Sequence, residues 1–231
     1  MKKTGKLIVI DGTDGSGKAT QVELLQARLV KEGDKVKTVD FPEYYKNFFG
    51  EFIGHCLAEQ HYNWVNIHPK IASVIYAADR WESSEQISKW LKSGYIVIAN
   101  RYVSANQIHQ GGKITDAKKR KDFLKWLDKM EYEVFKIPRP NVVFYLEVPI
   151  KVTQKLMQER DLKNKRQYLK KTGDVHENDL VFLENSRRSA LKLIKELNNF
   201  IKISCVKGMN MRQRADIHED VYNEVKKVLN K

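Results

Sequence analysis

Five short segments of mostly apolar residues recur along the chain, separated by longer stretches in which apolar residues fall at helical spacing. They are Leu7–Ile10, Val36–Val39, Tyr95–Ala99, Val142–Leu146 and Phe200–Cys205. Most are continuously apolar, which is typical of strands buried on both faces. Strands that alternate with helical patterns predict an α/β class, with a five-stranded parallel sheet flanked by helices.

The helical pattern fills the gaps between these strands. Val22, Leu25, Leu29 and Val30 mark one face of a first helix, which we expect to end near Gly33. Further helices are expected at His68–Lys92, 116–136, 150–160, 176–198 and 213–230. Residues 161–175 are polar and basic and predict a mobile surface segment within a single domain spanning 1–231.

The composition fits a soluble globular protein, with 42% hydrophobic and 31% charged residues in 231. No apolar run approaches the roughly 20 residues of a membrane helix, so we expect no membrane partner. Cys56 and Cys205 form no metal or disulfide pattern and indicate reduced thiols in a cytoplasmic protein. The net charge of +13 favours polyanions, but no nucleic-acid-binding module accompanies it, so we expect no nucleic-acid partner.

The strongest motif is a glycine-rich loop between the first predicted strand and the first predicted helix. It reads Gly12, Thr13, Asp14, Gly15, Ser16, Gly17 and Lys18, and fits the pattern G-x-x-x-x-G-K of a P-loop. Glycines let backbone N–H groups approach phosphate oxygens, the helix N-terminus attracts the anion, and Lys18 adds a full charge. The next position usually carries a magnesium-binding hydroxyl, but here Ala19 precedes Thr20. The loop predicts an ATP site.

Four further segments follow the P-loop in an order and spacing that resemble thymidylate kinases over nearly the whole chain. They are Asp40–Tyr44, Tyr76–Glu82, Asn100–Gly112 and Tyr145–Pro149 with the basic stretch after it. The resemblance implies a three-layer P-loop kinase fold with a lid at about 161–175. It also implies transfer of a phosphate from ATP to dTMP in dTTP synthesis, with Mg²⁺ accompanying the ATP and a homodimer as the assembly.

The resemblance also implies which residues hold the acceptor. Phe41 and Pro42 would form an apolar wall and Tyr44 would donate to a phosphate. Tyr76 and Arg80 lie four residues apart, hence on one helix face, where they could contact a pyrimidine. A ring can stack on the base, and a guanidinium can donate to its carbonyl.

The third segment supplies the expected phosphate clamp. Arg101 follows a strand, at the edge where open α/β sheets bind ligands, and its planar fork suits a phosphate. Asn106 and Gln110 are candidates for the thymine edge. Asn100, Ala105 and His109 depart from the aspartate, serine and aromatic residue of the family pattern.

The resemblance assigns the remaining charge to the lid, because Gly15 occupies the P-loop position that carries a catalytic arginine in one branch of the family. Arg160 and Arg166 would act there with Lys18 and Arg101. Asp14 would meet the sugar 3′-hydroxyl of dTMP. No metal ligand is certain, and Asp11 or Glu147 would reach Mg²⁺ through water at most.

Three alternatives stay open on the sequence alone. One is a kinase for other deoxynucleosides or pyrimidine monophosphates. Another is a degenerate nucleotide-binding regulator, which Ala19 and Asn100 favour. The third is a basic nucleic-acid-binding ATPase, which the net charge alone suggests.

Overall fold

The computed structural model describes residues 4–58, 64–163 and 179–230. Its strands are β1 (Lys6–Gly12), β2 (Val36–Asp40), β3 (Ile96–Asn100), β4 (Val142–Glu147) and β5 (Phe200–Ser204). They form one parallel sheet in the order β2-β3-β1-β4-β5. Each strand begins and ends within two residues of its predicted bounds, so the predicted five-stranded parallel sheet is confirmed.

Eight helices connect and cover these strands in the described ranges. They are α1 (Lys18–Lys31), α2 (Phe48–Ala58), α3 (Pro69–Lys92), α4 (Val103–Ala105), α5 (Ala117–Asp128), α6 (Ile150–Lys163), α7 (Leu180–Glu196) and α8 (Arg214–Leu229). Two π-helical turns, Asn106–Gln110 and Lys129–Val134, continue α4 and α5. A 3₁₀ turn spans Trp64–Asn66.

Strand β1 shows how the sheet is covered on both faces. Its residues alternate in direction, and the four from Leu7 to Ile10 are completely buried. Ile8 and Ile10 pack in one core with apolar residues of α1 and α8. Leu7 and Val9 pack in a second core with residues of α3 and α7. The two cores confirm the predicted three-layer α/β architecture.

Helix α2 and a short hairpin are among the elements of the structure that the sequence pattern did not predict. Helix α2 carries two glycines, which weaken a helical signal. Gly50 is required by packing, because a Cβ there would lie 2.3 Å from the carbonyl oxygen of Glu43. The second element is a short antiparallel hairpin of β6 (Val206–Lys207) and β7 (Asn210–Met211).

The expected lid falls mostly outside the described residues. Helix α6 extends to Lys163, three residues past its expected end. Arg160 lies in this helix, but its side chain is outside the described part, and so is the whole of Arg166. Over the described ranges, no helix combines the length and apolarity that a membrane crossing requires.

Candidate functional site

The carboxyl ends of β2, β3 and β1 open onto a large cavity. Its volume is about 1150 Å³, more than a single small ligand usually occupies. Its wall includes the predicted residues Asp14, Gly15, Ser16, Gly17, Lys18, Ala19, Thr20, Phe41, Pro42, Tyr44, Tyr76, Arg80, Arg101, Asn106 and Gln110. Gly12 and Thr13 support the loop from behind and do not line the cavity. One concave surface therefore brings together segments that are far apart in sequence.

The P-loop has the backbone that its glycines allow. Gly15 and Gly17 have φ angles of 77° and 90°, in the left-handed region that glycine adopts readily. At Gly12 a Cβ would lie 2.5 Å from the Ser16 Oγ, so no larger residue fits there. The ammonium of Lys18 donates to the carbonyl oxygens of Gly12 and Thr13, at 3.0 Å each. The lysine is therefore held at the mouth of helix α1, the place for an anion.

Arg101 lies beside this loop because β3 pairs with β1. Its backbone N–H donates to the carbonyl oxygen of Ile10 at 3.0 Å, and its φ angle is 63°. Its Nη2 donates to the Asp14 Oδ1 at 2.7 Å, and the Lys18 Nζ lies 3.6 Å from the same oxygen. Asp14 thus holds the lysine and the arginine on one carboxylate.

The charge of Arg101 is secured by its surroundings. Burial lowers the pKa of Arg101, but the carboxylates of Asp14 and Asp11 raise it by a larger amount. The net shift of the pKa is therefore upward. Its Nη1 lies 2.7 Å from the His109 Nε2, a contact that the sequence did not predict. The guanidinium is therefore a fixed cation whose position is set from two sides.

A buried ion pair supports the other end of the cavity. Arg80 is 2% exposed, and its Nε donates to the Glu131 Oε2 at 2.9 Å while its Nη2 donates to the second oxygen. The Nδ2 of Asn106 donates to the Glu131 Oε1 at 2.9 Å and to the carbonyl oxygen of Ser73 at 3.1 Å. Burial lowers the pKa of Arg80, but the carboxylate of Glu131 raises it by a larger amount. Arg80 therefore stays charged.

Glu131 is a site-supporting residue that the sequence reasoning missed. It lies in the second π-helical turn and is completely buried. Its sequence signal is its position four residues after the buried Leu127, which places a carboxylate on the apolar face of the predicted helix. Glu131 takes one N–H from Nε and one from Nη2, so Arg80 keeps three N–H groups, two on Nη1 and one on Nη2, that can donate to a base carbonyl.

Contacts between several segments of the chain hold the wall around Tyr76 in place. The Tyr76 hydroxyl accepts a hydrogen bond from the Trp64 Nε1 at 2.9 Å, which fixes its ring. Asp79 accepts from the backbone N–H of Glu43 at 3.2 Å and so ties α3 to the segment after β2. Burial raises the pKa of Asp79 to about 6, although a hydrogen bond with Asn47 lowers it in part. Phe41 packs against Tyr102 with ring centroids 5.7 Å apart.

The thymine-edge candidate Gln110 also reaches the cavity. It is 2% exposed, and its Oε1 has no hydrogen-bond partner among the described residues. A buried acceptor without a partner is costly unless a ligand supplies the donor. Asn106 has both N–H groups engaged, which leaves its Oδ1 as an acceptor.

Another part of the cavity wall lies beyond the end of β5. It is formed by Met211–Ala215, which begin at the last residue of the β6–β7 hairpin. Arg212 is anchored by its Nη1, which donates to the Asp220 Oδ2 and to the carbonyl oxygen of Ser204 at 2.6 Å each.

The described residues contain no group of three or more His, Cys, Asp or Glu side chains arranged for a metal. Asp11 is completely buried and accepts from the Ser104 hydroxyl at 2.5 Å and from the Gly12 N–H at 2.8 Å. Glu147 accepts two hydrogen bonds from Arg187. The Asn100 Oδ1 is buried without a partner among the described residues, and Asn100 belongs to the cavity wall.

Comparisons with known proteins identify the family. A family model described as thymidylate kinase matches residues 10–212, most of the chain. The chain belongs to the thymidylate kinase family. The thymidylate kinase of Halothermothrix orenii is 30% identical, over 96% of this chain and 97% of that protein. That of Thermosipho africanus is 28% identical over 97% of both chains.

A solved structure supports the fold assignment independently. The thymidylate kinase from Candida albicans superposes with a TM-score of 0.70 at 20% identity, covering 98% of this chain and 93% of its own. At that identity the likeness concerns the fold. The resemblance expected from the P-loop and its four companion segments is therefore confirmed at the level of family and architecture.

Proposed function

We propose that this chain transfers the γ-phosphoryl group of ATP to dTMP, forming dTDP and ADP. The observation that carries the proposal is the Lys18–Asp14–Arg101 arrangement, in which one carboxylate holds a P-loop lysine and an arginine at the edge of a shared cavity. This transfer brings two negatively charged phosphates together, so positive charge is needed between them. Lys18 and Arg101, held 3.6 and 2.7 Å from the Asp14 Oδ1, supply that charge.

The donor lies on the P-loop in this proposal. Backbone N–H groups of the loop and the N-terminus of α1 bind the phosphates of ATP, and Lys18 neutralises their charge. The wall at Met211–Ala215 borders the base of ATP. The lid residues Arg160 and Arg166 complete the charge around the transferred group, as the family resemblance implies.

The acceptor lies between Arg101 and the Arg80–Glu131 pair. Arg101 binds the phosphate of dTMP, with Tyr44 and the Phe41–Pro42 wall beside it. Tyr76 stacks on thymine. Arg80 donates an N–H that Glu131 does not take to a base carbonyl, and the Asn106 Oδ1 or the Gln110 Oε1 accepts from the one N–H of thymine. These roles rest on the buried partners described above, which leave those atoms for a ligand.

The reaction needs no protein base. An oxygen of the dTMP phosphate attacks the γ-phosphorus, and the bond from that phosphorus to the β–γ bridging oxygen breaks, leaving ADP. Arg101 orients the attacking phosphate and Lys18 stabilises charge on the leaving one. Asp14 keeps both cations in place, and we assign it a further contact with the 3′-hydroxyl of the acceptor sugar.

Magnesium fits this site as a companion of ATP. Ala19 offers no hydroxyl, but the Asn100 Oδ1, which has no partner within the described part of the chain, and the Asp11 carboxylate present oxygen atoms on adjacent strands. These groups would hold metal-bound water, since Mg²⁺ keeps several waters. When bound, the ion would neutralise phosphate charge.

A homodimer through α2 and α3 is part of the proposal. Phe48 and Phe52 on α2, with Ile71, Val74 and Trp81 on α3, are large apolar residues that are 37–71% exposed. The two helices pack against each other, and we propose that these exposed apolar residues together form the surface that mediates association. We expect Ile71→Glu to halve the mass in sedimentation equilibrium while Val30→Glu, an exposed change on α1, leaves it unchanged. An unchanged mass for Ile71→Glu would contradict this surface. The same soluble assembly is expected in the cytoplasm.

An acceptor panel tests the proposed function. ADP release is followed with ATP, Mg²⁺ and one acceptor at a time: dTMP, dUMP, dCMP, UMP or thymidine. We expect dTMP to be used best and dCMP poorly, because Arg80 donates where cytosine carries an amino group. Equal use of dCMP would indicate a broader pyrimidine kinase, and use of thymidine alone a nucleoside kinase. ATP binding without turnover would indicate a regulator.

A further inference from the structure

His109 has contacts that go beyond filling the cavity wall. It lies in the π-helical turn Asn106–Gln110 and its Nε2 is 2.7 Å from the Arg101 Nη1. On its other side the Nδ1 is 3.0 Å from the Ser186 Oγ of α7. Its ring stacks on Phe182, with centroids 5.7 Å apart and planes at 17°. Both nitrogens and one face of the imidazole are therefore engaged.

The chemistry of Arg101 fixes the protonation state of this imidazole. A guanidinium has donors and no acceptor, so the Nε2 must present its lone pair to the Arg101 Nη1. The ring is then neutral, and the proton lies on Nδ1, where it donates to the Ser186 hydroxyl oxygen. The contact thus requires one of the two neutral tautomers.

This contact determines where Arg101 points its remaining donors. Nη2 donates to Asp14 on one side and Nη1 to His109 on the other. A guanidinium has five N–H groups, so these two contacts leave three to bind an anion in the cavity. Without His109, the fork would keep one hydrogen bond, to Asp14, and a longer ion pair in which Nη1 lies 3.8 Å from the Asp11 Oδ1, so it could rotate about the Asp14 contact.

We infer that His109 is a positioning residue, which holds the Arg101 guanidinium in the orientation that binds the phosphate of the acceptor. The inference rests on the proposed function, since it assigns Arg101 to the acceptor. The ring of an aromatic residue, as in the family pattern at this position, could stack on Phe182 but could not accept an in-plane hydrogen bond. His109 therefore supplies both packing and an acceptor.

Two substitutions separate these contributions. His109→Phe keeps a ring against Phe182 and removes the acceptor, whereas His109→Gln removes the ring and can present an oxygen near the Nε2 position. We expect His109→Phe to raise the KM for dTMP by about tenfold or more, as for the loss of a charged hydrogen bond, with the KM for ATP changed less than about twofold. His109→Gln should recover most of the loss. Equal changes in both KM values, or a His109→Gln variant as impaired as His109→Phe, would overturn the inference.

A spectroscopic measurement tests the contact without turnover. In ¹⁵N-histidine-labelled protein at neutral pH, the His109 resonance, assigned by its absence in His109→Gln, should show a protonated Nδ1 and an unprotonated Nε2. A proton on Nε2 would overturn the inference whatever the activity. A wild type that fails to use dTMP while showing the expected tautomer would instead contradict the proposed function and leave the Arg101–His109 contact supported.

Discussion

Removal of the Glu131 carboxylate should destabilise the protein far more than removal of an equally well-bonded surface carboxylate. Glu131 is completely buried and receives two hydrogen bonds from Arg80, which is 2% exposed. In Glu131→Ala the guanidinium stays buried without its counter-charge, a change that typically costs about 3–5 kcal/mol. For a chain of this size each kcal/mol lowers the Tm by about 2–4 °C, so we expect a fall of about 6–20 °C. Asn106 also loses an acceptor.

Asp128 supplies the matched control. It also receives two hydrogen bonds from one arginine, each of 2.7 Å from the Nη1 and Nη2 of Arg139, but the side chains of Asp128 and Arg139 are 41% and 58% exposed. Exposed pairs contribute about 0–1 kcal/mol, so Asp128→Ala should lower the Tm by less than about 4 °C. The assay is thermal unfolding followed by circular dichroism at neutral pH, at matched protein concentration.

A double variant tests the physical reason for the loss. Arg80→Met combined with Glu131→Met replaces both charges with apolar side chains and should regain much of the stability that Glu131→Ala loses. It should still use dTMP poorly, because the donor to the base is gone. A Glu131→Ala variant that melts no lower than Asp128→Ala would refute the claim that this pair anchors the site.

Three further predictions concern the cavity. Arg101→Ala should raise the KM for dTMP about 10- to 100-fold, as expected for a charged hydrogen bond worth about 1.5–3 kcal/mol, and the KM for ATP far less; equal changes would place Arg101 elsewhere. Asn100→Asp should lower the free Mg²⁺ needed for half-maximal rate, because a carboxylate replaces an amide oxygen; superimposable Mg²⁺ titrations would show that this position does not sense the metal. Burial raises the pKa of Asp79 from 3.8 to about 6, so the stabilising effect of its protonated form is complete below about pH 4 and lost as pH rises through 6. Denaturant unfolding should therefore show Asp79→Asn gaining stability relative to wild type between pH 4 and 7; a difference that does not vary with pH would contradict the shifted pKa.

The sequence predicted those features whose cause is local. The P-loop was recognisable because its backbone needs glycine. Gly15 and Gly17 have positive φ angles, and Gly12 leaves no room for a Cβ, so each requirement is visible in the sequence as a glycine. The position of Arg101 followed from a general property of parallel sheets, in which ligands bind at the carboxyl ends of strands. Strand bounds were predicted well because strands buried on both faces are apolar throughout.

Features that depend on contacts between distant segments were not predictable in this way. Glu131 is 51 residues from Arg80 in sequence, and His109 is 77 residues from Ser186. Neither partner has a spacing that marks it. The sequence showed His109 as a departure from the family pattern, but its function depends on where α7 packs. Helix α2 was missed because Gly50 reads as a helix breaker, while the structure needs it for close packing against the Glu43 backbone.

The transfer itself can be followed with ATP that carries ¹⁸O on its γ-phosphoryl group. After incubation with dTMP and Mg²⁺, the products are separated and the phosphate positions are read by mass spectrometry. We expect the label to appear in the β-phosphate of dTDP, in amounts equal to the ADP formed, and Lys18→Ala to abolish it. Label appearing in inorganic phosphate without dTDP, or no consumption of ATP by a protein that binds it, would contradict the claim that this chain is a dTMP kinase.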